Sequence, residues 1–400
     1  MKTKFRIKVW SIPLYLLLLP FFVPRGPYAY LSGYKSFFTY WLYVSMLGIV
    51  WLFIYSIVLC HTTYKKCINY MLLYSASFIF ITILTKGTLD EGLQKLFMAP
   101  MLCLLCAIYL HQKPVQFIDT ISDILVCIFG LNCFIFNSFF WPNYFGAEKH
   151  LLFLGHVQIA SQLGILGVLI SYILLKLEFK KKSRILLFLS IITMIISKTS
   201  ASFVTLFVLL IFYVLSKSNS IVSHYKVNWK MIVLGFAVLN VLFWVLVSIH
   251  ISDEFGAALS VITNGRSFVW REVINLMQGH WMVGYGAYGV LIRVFWHEWS
   301  STPEGMNYAH SEMLQRLLDG GIVLLVLFIL FVHEYLKNIK DIHNKRSYYW
   351  ISAIVVVLLT IMIFESVTEY YYFFIIISII AYIPEIERKR EKIEIQGSRH

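Results

Sequence analysis

Long apolar runs recur along the whole chain, separated by short links that carry most of its charge. Each run is about 20 residues long, the length of a helix that crosses a hydrocarbon core about 30 Å thick. The runs are continuously apolar, without the alternation of barrel strands, so we expect helices. The twelve predicted spans cover approximately residues 9–24, 37–60, 67–85, 93–110, 115–140, 153–175, 184–198, 200–216, 231–250, 316–336, 347–366 and 370–384.

The composition supports the same interpretation. Hydrophobic residues make up 59% of the 400 positions, and charged residues make up 14%. A single core cannot hide that much apolar surface from water, which excludes an ordinary soluble protein. We therefore predict an all-α polytopic membrane protein, with one integral membrane domain over residues 1–400 and one large loop at residues 251–315.

The lysines and arginines are distributed unequally between the two sides of these spans. If the N-terminus is cytoplasmic, 24 of them fall on the cytoplasmic side and 10 on the external side. This bias follows the positive-inside rule and predicts cytoplasmic termini and an external loop at residues 251–315. The rule also explains the net charge of +13, which in a soluble protein would suggest nucleic acid. No nucleic-acid partner is predicted.

The external loop is the polar exception in an apolar chain, and so the first place to look for chemistry. Apolar residues near helical spacing predict a helix over Arg266–Gln278, with Gly279 at its end. The glycines of Met282–Gly289 predict a turn whose backbone approaches a ligand closely. Ser311 is the predicted N-cap of the helix that enters the membrane next.

Four arginines in and beside the loop are candidates for binding a diphosphate, because a guanidinium is a planar, permanently charged set of donors. Arg266 is the leading candidate, followed by Arg293 and Arg271, although a solvated helix face also explains Arg271. Arg316 has an alternative role, in which it pairs with Glu312 one helical turn earlier and extends to the membrane surface.

His310 is the candidate catalytic base, because a histidine can take a proton from a hydroxyl near neutral pH. The alternative is a capping or interfacial histidine. His280 and His297 are weaker candidates. The three histidines lack zinc-site spacing, and no carboxylate cluster suits magnesium, so we expect neither a metal nor a cofactor.

Another polar group, Ser197–Ser200, separates two apolar runs on the external side. Lys198 is unusual there under the positive-inside rule. It is either a functional cation facing a substrate or a lysine that extends from a turn to the membrane surface. Glu365 and Glu369 flank the last external turn and either line the same cavity or face water.

Three segments carry a family resemblance by their order and spacing. They are Asn264-Gly265-Arg266 followed by Trp270, His280 followed by Gly284-Tyr-Gly286, and His310-Ser-Glu-Met-Leu-Gln315 followed by Gly320-Gly321-Ile322. Together they resemble the O-antigen ligase/polymerase superfamily. The segment Ser197–Ser202 adds to this, because it is similar to the entry of a span in that family.

The resemblance implies a membrane glycosyltransferase of the GT-C type. It would join undecaprenyl-diphosphate-linked glycans on the outer face of the bacterial plasma (inner) membrane, without a metal. His310 would activate the acceptor hydroxyl, and Arg266 would hold the donor diphosphate as it leaves. Lys198 stands where the family usually has arginine, so it keeps the charge but not the fork of donors. The implied partners are the lipid-linked donor and acceptor, membrane lipid and a chain-length regulator.

Within the superfamily, we favour a Wzy-type polymerase of O-antigen or capsular polysaccharide, which transfers the growing chain to a new lipid-linked repeat unit. An O-antigen ligase with lipid A-core as acceptor is the alternative, but the loop has no feature that we can connect to lipid A-core. A flippase of lipid-linked oligosaccharides is a further alternative. A flippase would carry its cations within the spans, whereas here they are concentrated outside.

Overall fold

The computed structural model describes residues 12–248, 263, 265–294, 304–306 and 308–397. These residues form fourteen α-helices and two short antiparallel hairpins. The helices are α1 (Ile12–Phe22), α2 (Ser32–Val58), α3 (Lys66–Leu84), α4 (Leu89–Gln112), α5 (Pro114–Gly130), α6 (Ile159–Lys176), α7 (Lys180–Ser197), α8 (Ser200–Leu215), α9 (Asn219–His224), α10 (Trp229–Ser248), α11 (Arg266–Leu276), α12 (Glu312–Leu336), α13 (Lys345–Phe364) and α14 (Tyr372–Gly397). The hairpins pair β1 (Leu151–Leu152) with β2 (Gly155–His156), and β3 (Ile292–Val294) with β4 (Glu304–Met306).

Each of the twelve predicted spans falls on one of these helices, and only the short α9 and α11 are additional among the described residues. Seven helices are long and apolar enough to cross a membrane: Ser32–Val58, Lys66–Leu84, Pro114–Ile135, Ile159–Lys176, Trp229–Val247, Glu312–Asp341 and Lys345–Phe364. Three shorter apolar helices accompany them. The prediction of an all-α polytopic membrane protein is confirmed.

The described residues divide into two compact units. Unit 1 takes its residues from 1–63, 104–211 and 382–400. Within it, α6 packs closely on α7, because glycines of α6 leave room for side chains of α7. A Cβ at Gly164 would lie 2.4 Å from Met194, and one at Gly167 would lie 2.1 Å from the hydroxyl of Ser190. Small residues at a helix contact are a common way of packing membrane helices.

Unit 2 takes its residues from 64–103 and 212–381 and contains the described part of the loop. Here α3 packs along α12, and the ring of Tyr74 stacks on that of Phe331. The helix α11 packs on α10 and α12. Its buried residues Val269, Trp270 and Val273 join a hydrophobic core with residues of α12. The loop therefore packs onto the helices of unit 2, while the predicted single domain over residues 1–400 stays a prediction.

The glycine-spaced turn after α11 packs against a break in α12. The backbone of α12 is non-helical at Gly320 and Gly321, so the usual hydrogen bonds of the helix are interrupted there. The turn replaces them, since Tyr285 N–H donates to the carbonyl of Leu318 and Gly286 N–H donates to that of Asp319. In return, Ile322 N–H donates to the carbonyl of Trp281. The backbone of this turn therefore approaches α12 closely, while its approach to a ligand stays a prediction.

Two further local predictions can be compared with the structure. The predicted helix Arg266–Gln278 is observed as Arg266–Leu276, and Gly279 follows in a left-handed conformation with φ of 82°. Ser311 occupies the N-cap position of α12, but its side chain makes no capping hydrogen bond. The predicted N-cap position of Ser311 is confirmed, and the residue before it, His310, is left-handed with φ of 49°.

Candidate functional site

His310 lies directly before α12, on a backbone that neighbouring side chains hold in place. The indole of Trp270 donates to the His310 carbonyl at 3.3 Å, and Ala309 N–H donates to the side chain of Gln315 at 2.7 Å. The ring of Tyr308 lies against the imidazole, with centroids 4.4 Å apart. These contacts fix the imidazole at the point where the loop enters α12.

Glu365, directly after α13, lies between His310 and Arg266. Its Oε1 atom is 2.5 Å from Nη2 of Arg266, which donates to it, and its Oε2 atom is 3.5 Å from Nδ1 of His310. The Glu365 and His310 side chains are each 8% exposed, and that of Arg266 is 14% exposed. One buried carboxylate thus touches the predicted cation and faces the predicted base, in surroundings where charge interactions are stronger than in water.

Tyr308 adds a neutral donor beside this group. Burial raises the pKa of its hydroxyl to about 12, with smaller contributions from the carboxylates of Glu365 and Glu369, while Arg266 acts in the opposite direction. The hydroxyl therefore remains protonated throughout the physiological range. It can donate a hydrogen bond to an anion that binds beside Arg266.

A second charged cluster lies within unit 2 around Arg316, whose side chain is 1% exposed. Its Nε is 2.9 Å from Glu312, and its Nη2 is 3.1 Å from Asp319 and 3.9 Å from Glu369. Its Nη1 donates to the hydroxyl of Tyr74 at 2.9 Å. The predicted pairing with Glu312 is confirmed, and the alternative that Arg316 extends to the membrane surface is wrong, because three carboxylates hold it inside.

The cluster around Arg316 also holds the turn that carries Glu365. The carboxylate of Glu312 accepts hydrogen bonds from the backbone N–H and from the hydroxyl of Thr368, at 3.0 Å and 2.8 Å. At the end of the same turn, Tyr288 donates to Glu369 at 3.3 Å. The buried charges therefore fix the backbone only three residues from Glu365.

Comparison with known families identifies the central part of the chain. Residues 185–329 match the family model described as O-antigen ligase. The resemblance to the O-antigen ligase/polymerase superfamily is confirmed. No curated protein matches the chain significantly.

The superfamily and the helices together support a coarse functional statement. Proteins with this domain are glycosyltransferase-like membrane enzymes, either ligases or polymerases, and the match does not separate the two. It indicates lipid-linked glycans as substrates and a multi-pass protein of the bacterial inner membrane. All six predicted site residues lie within the matched O-antigen ligase segment, whereas Glu365 lies beyond it.

Of the other predicted site residues, Arg271 is half-buried on α11 and its Nε has no hydrogen-bond partner among the described residues. Arg293 is exposed on β3, opposite Gly305. Lys198 belongs to unit 1, where it is exposed in a left-handed conformation between α7 and α8. The diphosphate role of these three residues stays a prediction.

His280, one of the two weaker histidine candidates, has no described contact with His310. His280 is exposed, and its ring stacks on that of Tyr285 with centroids 4.3 Å apart. His297 lies outside the described residues. Within the described part of the chain, no group of three or more His, Cys, Asp or Glu side chains has the arrangement of a metal site.

Proposed function

We propose that this protein polymerises undecaprenyl-diphosphate-linked repeat units into O-antigen or capsular polysaccharide on the outer face of the inner membrane. The observation that carries the proposal is the arrangement of Arg266 and His310 around the single carboxylate of Glu365. A base for the acceptor and a cation for the leaving group are the two elements that this transfer needs.

In the proposed step, a hydroxyl of the acceptor repeat unit attacks the anomeric carbon of the donor chain. His310 takes the hydroxyl proton while the new glycosidic bond forms. The bond between the anomeric carbon and the diphosphate oxygen breaks, and its electron pair leaves with undecaprenyl diphosphate. Arg266 stabilises the negative charge that develops on this leaving group, and the neutral Tyr308 donates a hydrogen bond beside it.

Arg316 is not part of the proposed diphosphate site. Its guanidinium is buried and already faces the carboxylates of Glu312, Asp319 and Glu369. A diphosphate would have to replace partners that are themselves buried, which leaves uncompensated charges inside the protein. We assign Arg316 to holding the turn at Thr368 instead.

The proposal is tested by replacing His310 or Arg266 with alanine and examining the surface polysaccharide on a gel. A polymerase without its base or its cation leaves single repeat units attached at the surface, so the ladder collapses to its first step. The His280→Ala variant is the control, because it removes an exposed histidine of the same loop. An unchanged ladder at normal protein levels would refute the assignment.

The same experiment separates the alternatives. If the chain is an O-antigen ligase, the variants lose surface attachment altogether while long chains remain on the lipid carrier. If it is a flippase, lipid-linked repeat units accumulate on the cytoplasmic face. In a purified reaction with lipid-linked repeat units, we expect polymer to form in the presence of EDTA. A loss of activity that Mg²⁺ restores would overturn the metal-free mechanism.

A further inference from the structure

The carboxylate of Glu365 is shared unequally between Arg266 and His310. Its contact with Arg266, at 2.5 Å, is a close charged hydrogen bond. Its approach to His310, at 3.5 Å, is too long for one, and Nδ1 of His310 is buried without a hydrogen-bond partner among the described residues. A buried nitrogen without a partner costs free energy, so this arrangement indicates a state that binding of a substrate completes.

We propose that Glu365 is a positioning residue that the donor diphosphate shifts from Arg266 to His310. This inference rests on the proposed function. Without donor, Glu365 neutralises Arg266; with donor, the diphosphate takes that place, and the carboxylate accepts a hydrogen bond from Nδ1 of His310. The donor thereby completes the base that activates the acceptor.

The exchange is favourable because a diphosphate competes directly with the carboxylate for the guanidinium. Both anions match the planar donors of arginine, and the diphosphate presents more charge and more acceptor atoms. The carboxylate then needs to approach His310 by less than about 1 Å to reach hydrogen-bonding distance. Meanwhile Trp270 holds the backbone carbonyl of His310, and the ring of Tyr308 lies against the imidazole.

The backbone that carries Glu365 does not have to move. Thr368, three residues later, is bonded twice by Glu312, and Glu312 is paired with Arg316. The exchange is therefore a side-chain movement from a fixed turn. A shared carboxylate on a fixed turn couples the two substrates, because the base is oriented for the acceptor only after the donor has bound.

Once bonded to Glu365, His310 has its proton on Nδ1 and its free electron pair on Nε2. That tautomer is the one that can take a proton from the acceptor hydroxyl at Nε2. The charged and titratable groups facing the imidazole among the described residues are Glu365 and Tyr308, with Arg266 on the far side of Glu365. Of these groups, the carboxylate of Glu365 is the strongest acceptor for the N–H at Nδ1, because it is charged and Tyr308 is neutral.

The Glu365→Gln variant tests this inference because it replaces the carboxylate by a neutral amide of nearly the same shape. Once the diphosphate holds Arg266, the amide can turn its oxygen toward Nδ1 of His310, but a neutral oxygen is a weaker acceptor than a carboxylate. The amide also carries no charge to stabilise the imidazolium that forms when His310 takes the proton of the acceptor. At the same time Arg266 loses the carboxylate that competes with a diphosphate.

We expect Glu365→Gln to separate catalysis from diphosphate binding. Its kcat should fall by about 100-fold or more, the range of general-base catalysis. Its affinity for inorganic pyrophosphate, measured by calorimetry or as competitive inhibition against the donor, should equal or exceed that of the wild type. Glu272→Gln makes the same change on α11 and should leave both quantities unchanged. Arg266→Ala should weaken pyrophosphate binding.

Three results would overturn the inference. The first is a Glu365→Gln variant whose kcat stays within about threefold of the wild type, far less than the loss of a general base. The second is a parallel loss of kcat and pyrophosphate affinity. The third is a fall in kcat that a lower thermal midpoint explains. Either of these two results would indicate a merely structural role for Glu365. The His310→Ala variant separates this failure from that of the proposed function. If it remains active, the base assignment fails; if it is inactive while Glu365→Gln is normal, only the coupling fails.

Discussion

Replacing Arg316 by methionine removes the cation that faces Glu312, Asp319 and Glu369 in the interior of unit 2. The volume is largely kept, so the main effect is electrostatic. Removing one partner of a buried ion pair costs about 3–5 kcal/mol, because the charges left behind lack a counter-ion. The Thr368 turn also loses its support, since Glu312 is its hydrogen-bond acceptor. We therefore expect a large loss of folded protein and a lower thermal midpoint in detergent.

Two further variants show whether this cost has the proposed origin. Arg316→Lys keeps the charge, but one lysine nitrogen replaces the three arginine nitrogens that face Glu312, Asp319 and Tyr74. Its thermal midpoint should therefore lie between those of the wild type and Arg316→Met. The exposed Arg293→Met is the control and should stay within about 0.5 kcal/mol of the wild type, as surface substitutions usually do. The measurement is the thermal midpoint of the monodisperse peak in size-exclusion chromatography. An Arg316→Met protein as stable as the wild type would refute the reasoning.

Three other tests concern separate features of the structure. Gly284→Ala places a Cβ 2.6 Å from the carbonyl oxygen of Leu318 and should lower both activity and thermal midpoint. Gly279→Ala, in open space with a similar φ, should cost only about 1–2 kcal/mol of stability. Equal effects of the two variants would contradict the contact between the turn and α12. The Tyr308→Phe variant should lose less stability than the wild type between about pH 10 and 12. The contribution of Tyr308 to the free energy of unfolding is present below the pKa of the unfolded state and is lost as pH rises through the raised pKa of the folded state. Identical pH profiles of the thermal midpoint would contradict this. A cysteine at Gln278 should react with an impermeant maleimide in intact cells and one at Lys181 should not, and the reverse pattern would overturn the predicted topology.

Most of the fold follows from local patterns in the sequence. Each span is a continuous apolar run, and a run of that length has few alternatives to a helix in lipid. The helix α11 was predicted from its periodicity, since Val269, Val273 and Leu276 repeat near helical spacing. The division into two units was not predicted, because no change of composition along the chain marks where one unit ends and the other begins.

The site was predicted only in part, because its partners are distant along the chain. Glu365 follows an apolar run and is 55 residues from His310 and 99 from Arg266, so no local pattern connects the three residues. The burial of Arg316 was missed for a similar reason. Its pairing with Glu312 is visible one helical turn away, but Tyr74, 242 residues earlier, is not. Without contacts of that range, a paired arginine at a span end is most simply interpreted as interfacial.

The two arginines illustrate why residue type alone does not determine a role. Among the described residues, Arg316 faces three carboxylates and Arg266 contacts one. An incoming diphosphate has to displace only Glu365 from Arg266, and Glu365 has a second partner in His310. Displacing the carboxylates around Arg316 would instead separate three buried charges from their shared cation at once, which costs more free energy. The guanidinium at the start of α11 is therefore easier to exchange than the one in α12, and this difference supports the proposal that Arg266 rather than Arg316 binds the diphosphate.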